Sequence, residues 1–184
     1  RSPQYALEAA LLADGVTPAE LYKVMATPAG IDRAFKKLDE IKPQIQWWEA
    51  GSQPAEWLAS GNVVMSTSYV GRLLEAAAEK APVKFGWNGA FYSLDYWAII
   101  KGTKRLEASY DFLNFATDAK PQAAFSEIQP VAPVNVKAEA LLTPERRKIM
   151  PIGENLAQGA VFDDQFWVDN ADALTERFNN WLSQ

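Results

Sequence analysis

Apolar residues recur every three to four positions through the first part of the chain. Ser2-Pro3 followed by "QYALEAALLADG" predicts a helix that Ser2 caps, Pro3 opens and Gly15 follows. Thr17-Pro18 opens a second helix through "AELYKVM" by the same logic. "AGIDRAFKKLDEIKP" predicts a third, with Ile31, Phe35, Leu38 and Ile41 at helical spacing and Pro43 as its stop. The period then changes. "QIQWWEAG" reads as a short strand, "QPAEWLASGN" as a short helix closed by Gly61, "VVMSTS" as a strand, and "YVGRLLEAAAEKAP" as a helix ended by Pro82. "VKFGWNG" and "YSLDYWAIIKG" read as strands bounded by glycine. This alternation predicts an α/β architecture with largely parallel pairing. "RLEASYDFLNFATD" and "KPQAAFSEI" follow as amphipathic helices, with Leu106, Tyr110, Leu113 and Phe115 on or near one face. "QPVAPVN" is a Pro-rich link, and from Lys137 the chain reads as helical again. Its last helix, "NADALTERFNNWLSQ", turns Phe178 and Trp181 inward. Chain crossovers between lobes are expected near residues 87–93 and 129–136.

Composition narrows the chemistry. A net charge of −5 without clustered Lys and Arg excludes a phosphate-binding face, so no nucleic-acid partner is expected. The longest apolar runs fall short of the roughly 20 residues a membrane helix needs. The chain has no His and no Cys, which removes His-dependent triads, thiolate nucleophiles and metal sites built on either residue. An enzyme would have to run on carboxylates, Lys, Tyr or Ser, so the reading is of a protein that is not an enzyme. No G-x-G-x-x-G or Walker A pattern occurs, and no cofactor is expected. Asp163, Asp164 and Asp169 lack the spacing of a calcium loop and read as a solvated loop.

The aromatic residues carry more. In Trp47-Trp48-Glu49 the two rings fall on opposite faces of a strand, one to the core and Trp48 to an edge. That segment ends in the polar turn Ala50-Gly51-Ser52-Gln53 before a helix, and open α/β sheets bind ligands at the carboxyl ends of strands. "STSY" repeats the arrangement with Ser68 and Tyr69, and "YSLDYW" adds Tyr92 and Asp95, with Trp97 and Ile99 packed inside. Taken singly, each ring reads as core filling before it reads as a site. Taken together, the three places suit a cation: rings attract an ammonium group at about 0.5–2 kcal/mol per contact, and a carboxylate neutralises it. Tyr69 and Tyr92 would flank an alkyl chain, Asp95 would pair with the amine, and Ser52, Gln53 and Ser68 would accept its N–H groups.

The order "LEAALLADGV", "AFKKLDEIKP", "WWEAGSQPAEWLASG", "VVMSTSYVGRL", "FYSLDYWAIIKGTK", "ASYDFLNFATDAKPQAAFSE", "APVN" and "NADALTERFNNWL" resembles periplasmic substrate-binding proteins of ABC transporters, nearest the spermidine/putrescine-binding group. The resemblance covers essentially the whole chain. It implies a type 2 periplasmic-binding-protein-like α/β fold, with two lobes closing on a ligand, and a further segment before Arg1 that forms most of the first lobe. Residues 1–92 would be the second lobe, 93–135 a return to the first, and 136–184 C-terminal helices on the second. The resemblance carries Asp95 onto the family's amine-binding carboxylate and Tyr69 onto a ligand ring. It carries Gly51-Ser52-Gln53 onto a polar contact turn, and Gln165 onto a ligand-binding Gln. Ser93 and Val131 stand where polyamine binders carry Trp and Tyr, so the aromatic box is incomplete. A polyamine, or a shorter solute such as γ-aminobutyrate, an amino acid or an opine, fits this pattern. The implied partners are that cationic or zwitterionic solute and a membrane permease, with the binding protein a monomer in the periplasm, or lipid-anchored outside a Gram-positive cell. A sensory module reusing the same fold is the competing expectation.

Overall fold

The computed structural model describes residues 1–184. In chain order the helices are α1 (Ala6–Ala13), α2 (Leu21–Met25), α3 (Pro28–Ile41), α4 (Gln53–Ser60) and α5 (Val70–Ala78), followed by strand β1 (Phe91–Tyr92). Then come α6 (Leu106–Ala116), α7 (Ala119–Ile128), α8 (Val136–Glu139), α9 (Pro144–Lys148) and α10 (Gly153–Ala157), strand β2 (Ala160–Val161), and α11 (Asp164–Leu182). These elements divide into two units: Arg1–Ser93 with Gln158–Gln184, and Leu94–Ala157.

The first unit is built on α1, α3 and α11. Leu7 and Leu11, one turn apart on α1, are both fully buried. On α3 the buried positions beside Gly30 are Ile31, Ala34, Phe35 and Leu38, a stripe at i, i+3, i+4 and i+7. Thr27 caps this helix by accepting from the Gly30 N–H at 3.0 Å, and Pro28 follows at the first helical position. Ile41, expected on the same stripe, is 48% exposed, because Pro43 turns the chain through a 3₁₀ segment, Lys42–Gln44. Phe178 and Trp181 of α11 close the core, as their spacing predicts, and Trp47 packs edge-on against both.

Three helix starts differ from expectation. Thr17-Pro18 does not open α2, which begins at Leu21 after a turn and has no side-chain cap. Ser2 does not cap α1; its hydroxyl accepts from the Gln4 N–H at 3.2 Å in a turn, and the helix begins after Tyr5. The last helix begins well before Asn170, because Asp163 accepts from the Phe166 N–H at 2.9 Å and so caps α11 at Asp164. Asp163, Asp164 and Asp169 are therefore a cap and two helical residues rather than a loop.

The sheet is smaller than the sequence suggests. It has one parallel ladder, with Phe91 opposite Ala160 and Tyr92 opposite Val161. The Ala160 N–H donates to the Ala90 carbonyl at 2.8 Å and the Phe162 N–H to the Tyr92 carbonyl at 2.9 Å. Gly159 permits this approach, since a Cβ there would lie 2.6 Å from the Ala90 oxygen. The segments around Trp47-Trp48, Val63–Ser68 and Val83–Trp87 form no strand. A strand requires a paired neighbour as well as extended dihedrals, and Val64, for one, is 99% exposed.

The second unit holds α6 to α10. Its buried cluster is Ala123, Ala138 and Leu142, with Ala119 and Ile152 against it. Ser126, also buried, donates to the Val131 carbonyl at 2.7 Å. No residue of α6 is buried, and Trp97, expected inside, is 64% exposed with its ring edge-on to Phe112. Residues 136–157 belong to this unit and not with the terminal helix, because Ala138 and Leu142 pack on Ala123 of α7. The expected grouping of 136–184 is corrected accordingly.

Candidate functional site

In the first unit the segments before α4 and α5 meet in an aromatic corner. Trp48 is half-buried; its Nε1 donates to the Thr67 hydroxyl at 3.2 Å, and its ring stands edge-on to Tyr69 with centroids 6.0 Å apart. Tyr69 is the residue before α5 and is 63% exposed. Gly51 lies against this ring, since a Cβ there would sit 3.4 Å from it. Ser52 precedes α4 and is exposed, with no capping bond from its side chain. The Ser68 hydroxyl donates to the Tyr69 carbonyl at 3.4 Å. Trp48, the Gly51-Ser52-Gln53 turn and Ser68-Tyr69 are thus brought together.

Gln53 has a local task that the sequence does not reveal. Its Oε1 accepts from the Glu49 and Ala50 N–H groups at 2.7 and 2.9 Å, so the turn uses its carbonyl and leaves only the amide NH₂ for another partner. Two cations adjoin this corner: Arg1, whose guanidinium lies 4.0 Å from Glu49 beside Trp48, and Arg72, in the first turn of α5 three residues after Tyr69, where Nη1 meets Glu75 Oε2 at 3.0 Å. Arg72 falls outside the residues the sequence points to, because those are chosen around an amine. A zwitterion, whose carboxylate needs a positive group, would point to it.

A second aromatic group surrounds the sheet. Tyr5 packs against Phe91 and Phe162, with centroids 5.6 and 4.8 Å away, and Phe162 stacks on Trp167. Tyr92, half-buried, holds the ladder through its carbonyl. Gln165 lies exposed in the first turn of α11, and its Nε2 donates to Asp169 Oδ1 at 3.0 Å. Glu8 of α1 is fully buried. Its Oε1 accepts from Trp167 Nε1 at 2.6 Å and from the Tyr22 hydroxyl at 3.1 Å, while Oε2 has no partner. Burial pushes the Glu8 carboxyl above the usual range, and the two donated bonds oppose the shift only in part. Tyr22 is raised as well, chiefly by burial.

Asp95 belongs to the second unit, where it is exposed on a segment without regular structure. The groups gathered at the corner are rings, hydroxyls, an amide and two guanidinium groups paired with Glu49 and Glu75. No cluster of acidic side chains is arranged to hold a metal ion. That set is suited to holding a small charged organic molecule. No helix is long and apolar enough to cross a membrane.

The comparisons with known proteins agree with this chemistry. The model of a family described as bacterial extracellular solute-binding protein matches residues 1–151. A Gamma-aminobutyric acid-binding protein of Pseudomonas aeruginosa is 46% identical over all of this chain and 53% of its own length. The crystal structure of an ABC transporter substrate-binding protein from Bradyrhizobium japonicum is similar with a TM-score of 0.84 and 37% identity, over 98% of this chain and 56% of that one. A GABA receptor structure matches with a TM-score of 0.77 and 32% identity, over 96% of this chain and 53% of that one. The chain thus spans about half the length of the relatives it matches. These matches establish the type 2 periplasmic-binding-protein fold, in a family of binding proteins rather than enzymes. The chain belongs to the bacterial extracellular solute-binding protein family.

Proposed function

We propose that the protein containing this chain is the solute-binding component of an ABC importer, working outside the cytoplasm, with a small ω-amino acid of the γ-aminobutyrate class as its ligand. The observation that carries this reading is the 46% identity, along the entire chain, to a protein described as binding γ-aminobutyric acid. The residues support it. Trp48 and Tyr69 offer ring surface for a short alkyl chain, and Ser52, Ser68 and the Gln53 amide offer polar contacts. Arg72 in the opening turn of α5 supplies what a carboxylate needs. Asp95, three residues after Tyr92, is proposed for the ammonium group, and Gln165 for a further polar contact. A polyamine has no carboxylate and would leave Arg72 facing a like charge, which disfavours it. The remaining half of the relatives' length offers a cover for the exposed apolar residues of the second unit, such as Phe115 and Phe125. The partner is then the importer's permease.

Calorimetry of the full-length, ligand-free protein tests this. Heat is expected with γ-aminobutyrate and little with putrescine or spermidine. Arg72→Ala and Asp95→Ala are each expected to weaken γ-aminobutyrate by about ten- to a hundredfold, the scale of a charge-assisted contact. Tight spermidine binding with no γ-aminobutyrate signal would overturn the ω-amino acid assignment.

A further inference from the structure

Asn88-Gly89 is the one place in the chain where an asparagine is followed by glycine. Deamidation of asparagine begins when the backbone nitrogen of the next residue attacks the side-chain carbonyl carbon, and a following side chain obstructs that approach. Glycine has none, and a Cβ built on Gly89 would meet nothing within 4 Å, so no neighbouring group crowds the attack. Asn88 itself is exposed. The other asparagines differ. Asn135, Asn155 and Asn170 engage their side-chain amides with the backbone carbonyls of Thr117, Met150 and Phe166. Asn114, Asn179 and Asn180 lie within α6 and α11, where the following N–H belongs to the helix. Asn62 is followed by the β-branched Val63.

The nitrogen of Gly89 also has a structural task. Residues 87–90 form a turn, closed by the Ala90 N–H donating to the Trp87 carbonyl at 2.9 Å. Gly89 holds a φ of 73° at the third position while Asn88 stays out of the left-handed region, the pattern of a type II turn. The Gly89 N–H donates to the Gln158 carbonyl at 3.0 Å. One residue on, the Ala90 carbonyl accepts from the Ala160 N–H at 2.8 Å, where the parallel ladder begins. The Gly89 bond thus adds one link to the pairing of β1 and β2 at its N-terminal end. While that link holds, the proton stays on the nitrogen, and the peptide plane is committed to Gln158 rather than to the Asn88 side chain. Attack needs both released, so the reaction waits on local opening of this end of the ladder.

We propose that Asn88 is a site of spontaneous deamidation whose rate is set by opening of the Gly89–Gln158 link. The Gly89 nitrogen forms a bond to Asn88 Cγ, the Cγ–Nδ2 bond breaks, and the proton lost from the nitrogen leaves with the ammonia. Water then opens the cyclic imide at either carbonyl, giving aspartate or isoaspartate. Isoaspartate adds one carbon to the backbone ahead of Gly89. The closed turn and the link to Gln158 then no longer form together, so the product keeps the ladder end open. The modification follows the age of the protein and is independent of which solute it carries.

The test incubates the full-length protein at mildly alkaline pH and follows the tryptic peptide of residues 85–101 by mass spectrometry. A synthetic peptide of the same sequence serves as the unpaired reference. Asn88 is expected to convert ahead of every other asparagine in the folded protein. It should do so about ten- to a hundredfold more slowly than in the peptide, the scale of the two hydrogen bonds that opening breaks. Gly159→Ala, whose added methyl would lie 2.6 Å from the Ala90 oxygen, should move the rate most of the way to that of the peptide. If this variant does not fold, wild-type protein in urea below its unfolding transition is expected to show the same acceleration. An Asn88 that lags another asparagine, or that is still intact well beyond that range, overturns the assignment. Conversion at the peptide's rate in the wild type, or a rate that neither Gly159→Ala nor urea moves, overturns control by the ladder.

Discussion

The two units of this chain are both helical, yet only one of them has a core of any size. In the first, Leu7, Leu11, Phe35, Trp167, Phe178 and Trp181 are all buried in one continuous cluster drawn from both ends of the sequence. In the second, the buried cluster is two alanines and a leucine, while Leu106, Tyr110, Phe112 and Phe115 of α6 are each about half exposed or more. The apolar residues of α6 are no fewer than those of α1 or α3; they lack a facing surface. Amphipathic sequence specifies which side of a helix wants cover, and packing depends on the cover being there.

The sharpest way to break this contrast is to cut the same side chain from both units. Phe178→Ala is expected to cost about 3–5 kcal/mol in urea unfolding, as large-to-small changes at buried aromatic sites do. Phe115→Ala, at a position 65% exposed, is expected to fall within about 0.5 kcal/mol of wild type when residues 1–184 are studied alone. A loss at Phe115 comparable to that at Phe178 would mean that α6 is covered, and the contrast would fail.

A smaller effect distinguishes the polar interior of the first unit. Glu8→Ala is expected to cost about 2–4 kcal/mol, because it strands the buried donors of Trp167 and Tyr22. Glu8 also sets a pH dependence. Its folded carboxyl is raised above the ordinary value of 4.5, so the folded state holds the proton more tightly than the unfolded state. Its stability contribution is therefore fully present below that value and is lost as pH climbs through the raised folded one. The urea midpoint should fall across that interval in the wild type, and Glu8→Gln should flatten the fall. An unaltered slope in Glu8→Gln would assign the pH dependence elsewhere.

The smallest effect should ignore the contrast altogether. Thr27→Ala in the first unit and Asp118→Ala in the second each remove a helix cap, whose bonds measure 3.0 and 2.7 Å. Each is expected to cost about 1 kcal/mol, since capping is local and indifferent to the size of the core. Circular dichroism during urea unfolding would register both. A cap in the second unit with no measurable cost would show that its helices fray.

What is legible in the sequence follows the same division between local and distant causes. The stripe Ile31, Phe35, Leu38 can be read directly, because it is set by residues within a few turns, whereas the Thr27 cap and Pro28 lie just before the segment that the apolar pattern marks. The start of α11 cannot be read, since Asp163 is one acid among several until its side chain is seen to accept from Phe166. Three of the expected strands do not form for want of neighbours, which no local pattern reports. In the candidate site, Trp48 and Tyr69 are readable as edge aromatics. Arg72 is not, because the assumption of an amine ligand hides it.

The ladder between β1 and β2 has a consequence for the architecture of the whole chain. Parallel strands cannot be joined by a tight turn; they need a crossover of at least about a dozen residues. Everything from Leu94 to Ala157 lies on that crossover. The second unit is therefore carried on a connection that the first must make in any case. The register of Phe91 against Ala160 fixes where this passenger departs and returns, and Gly159, with no room for a methyl group, guards the point of return. A graft that replaced the passenger with a single crossover helix would keep both attachment points and leave the larger core undisturbed.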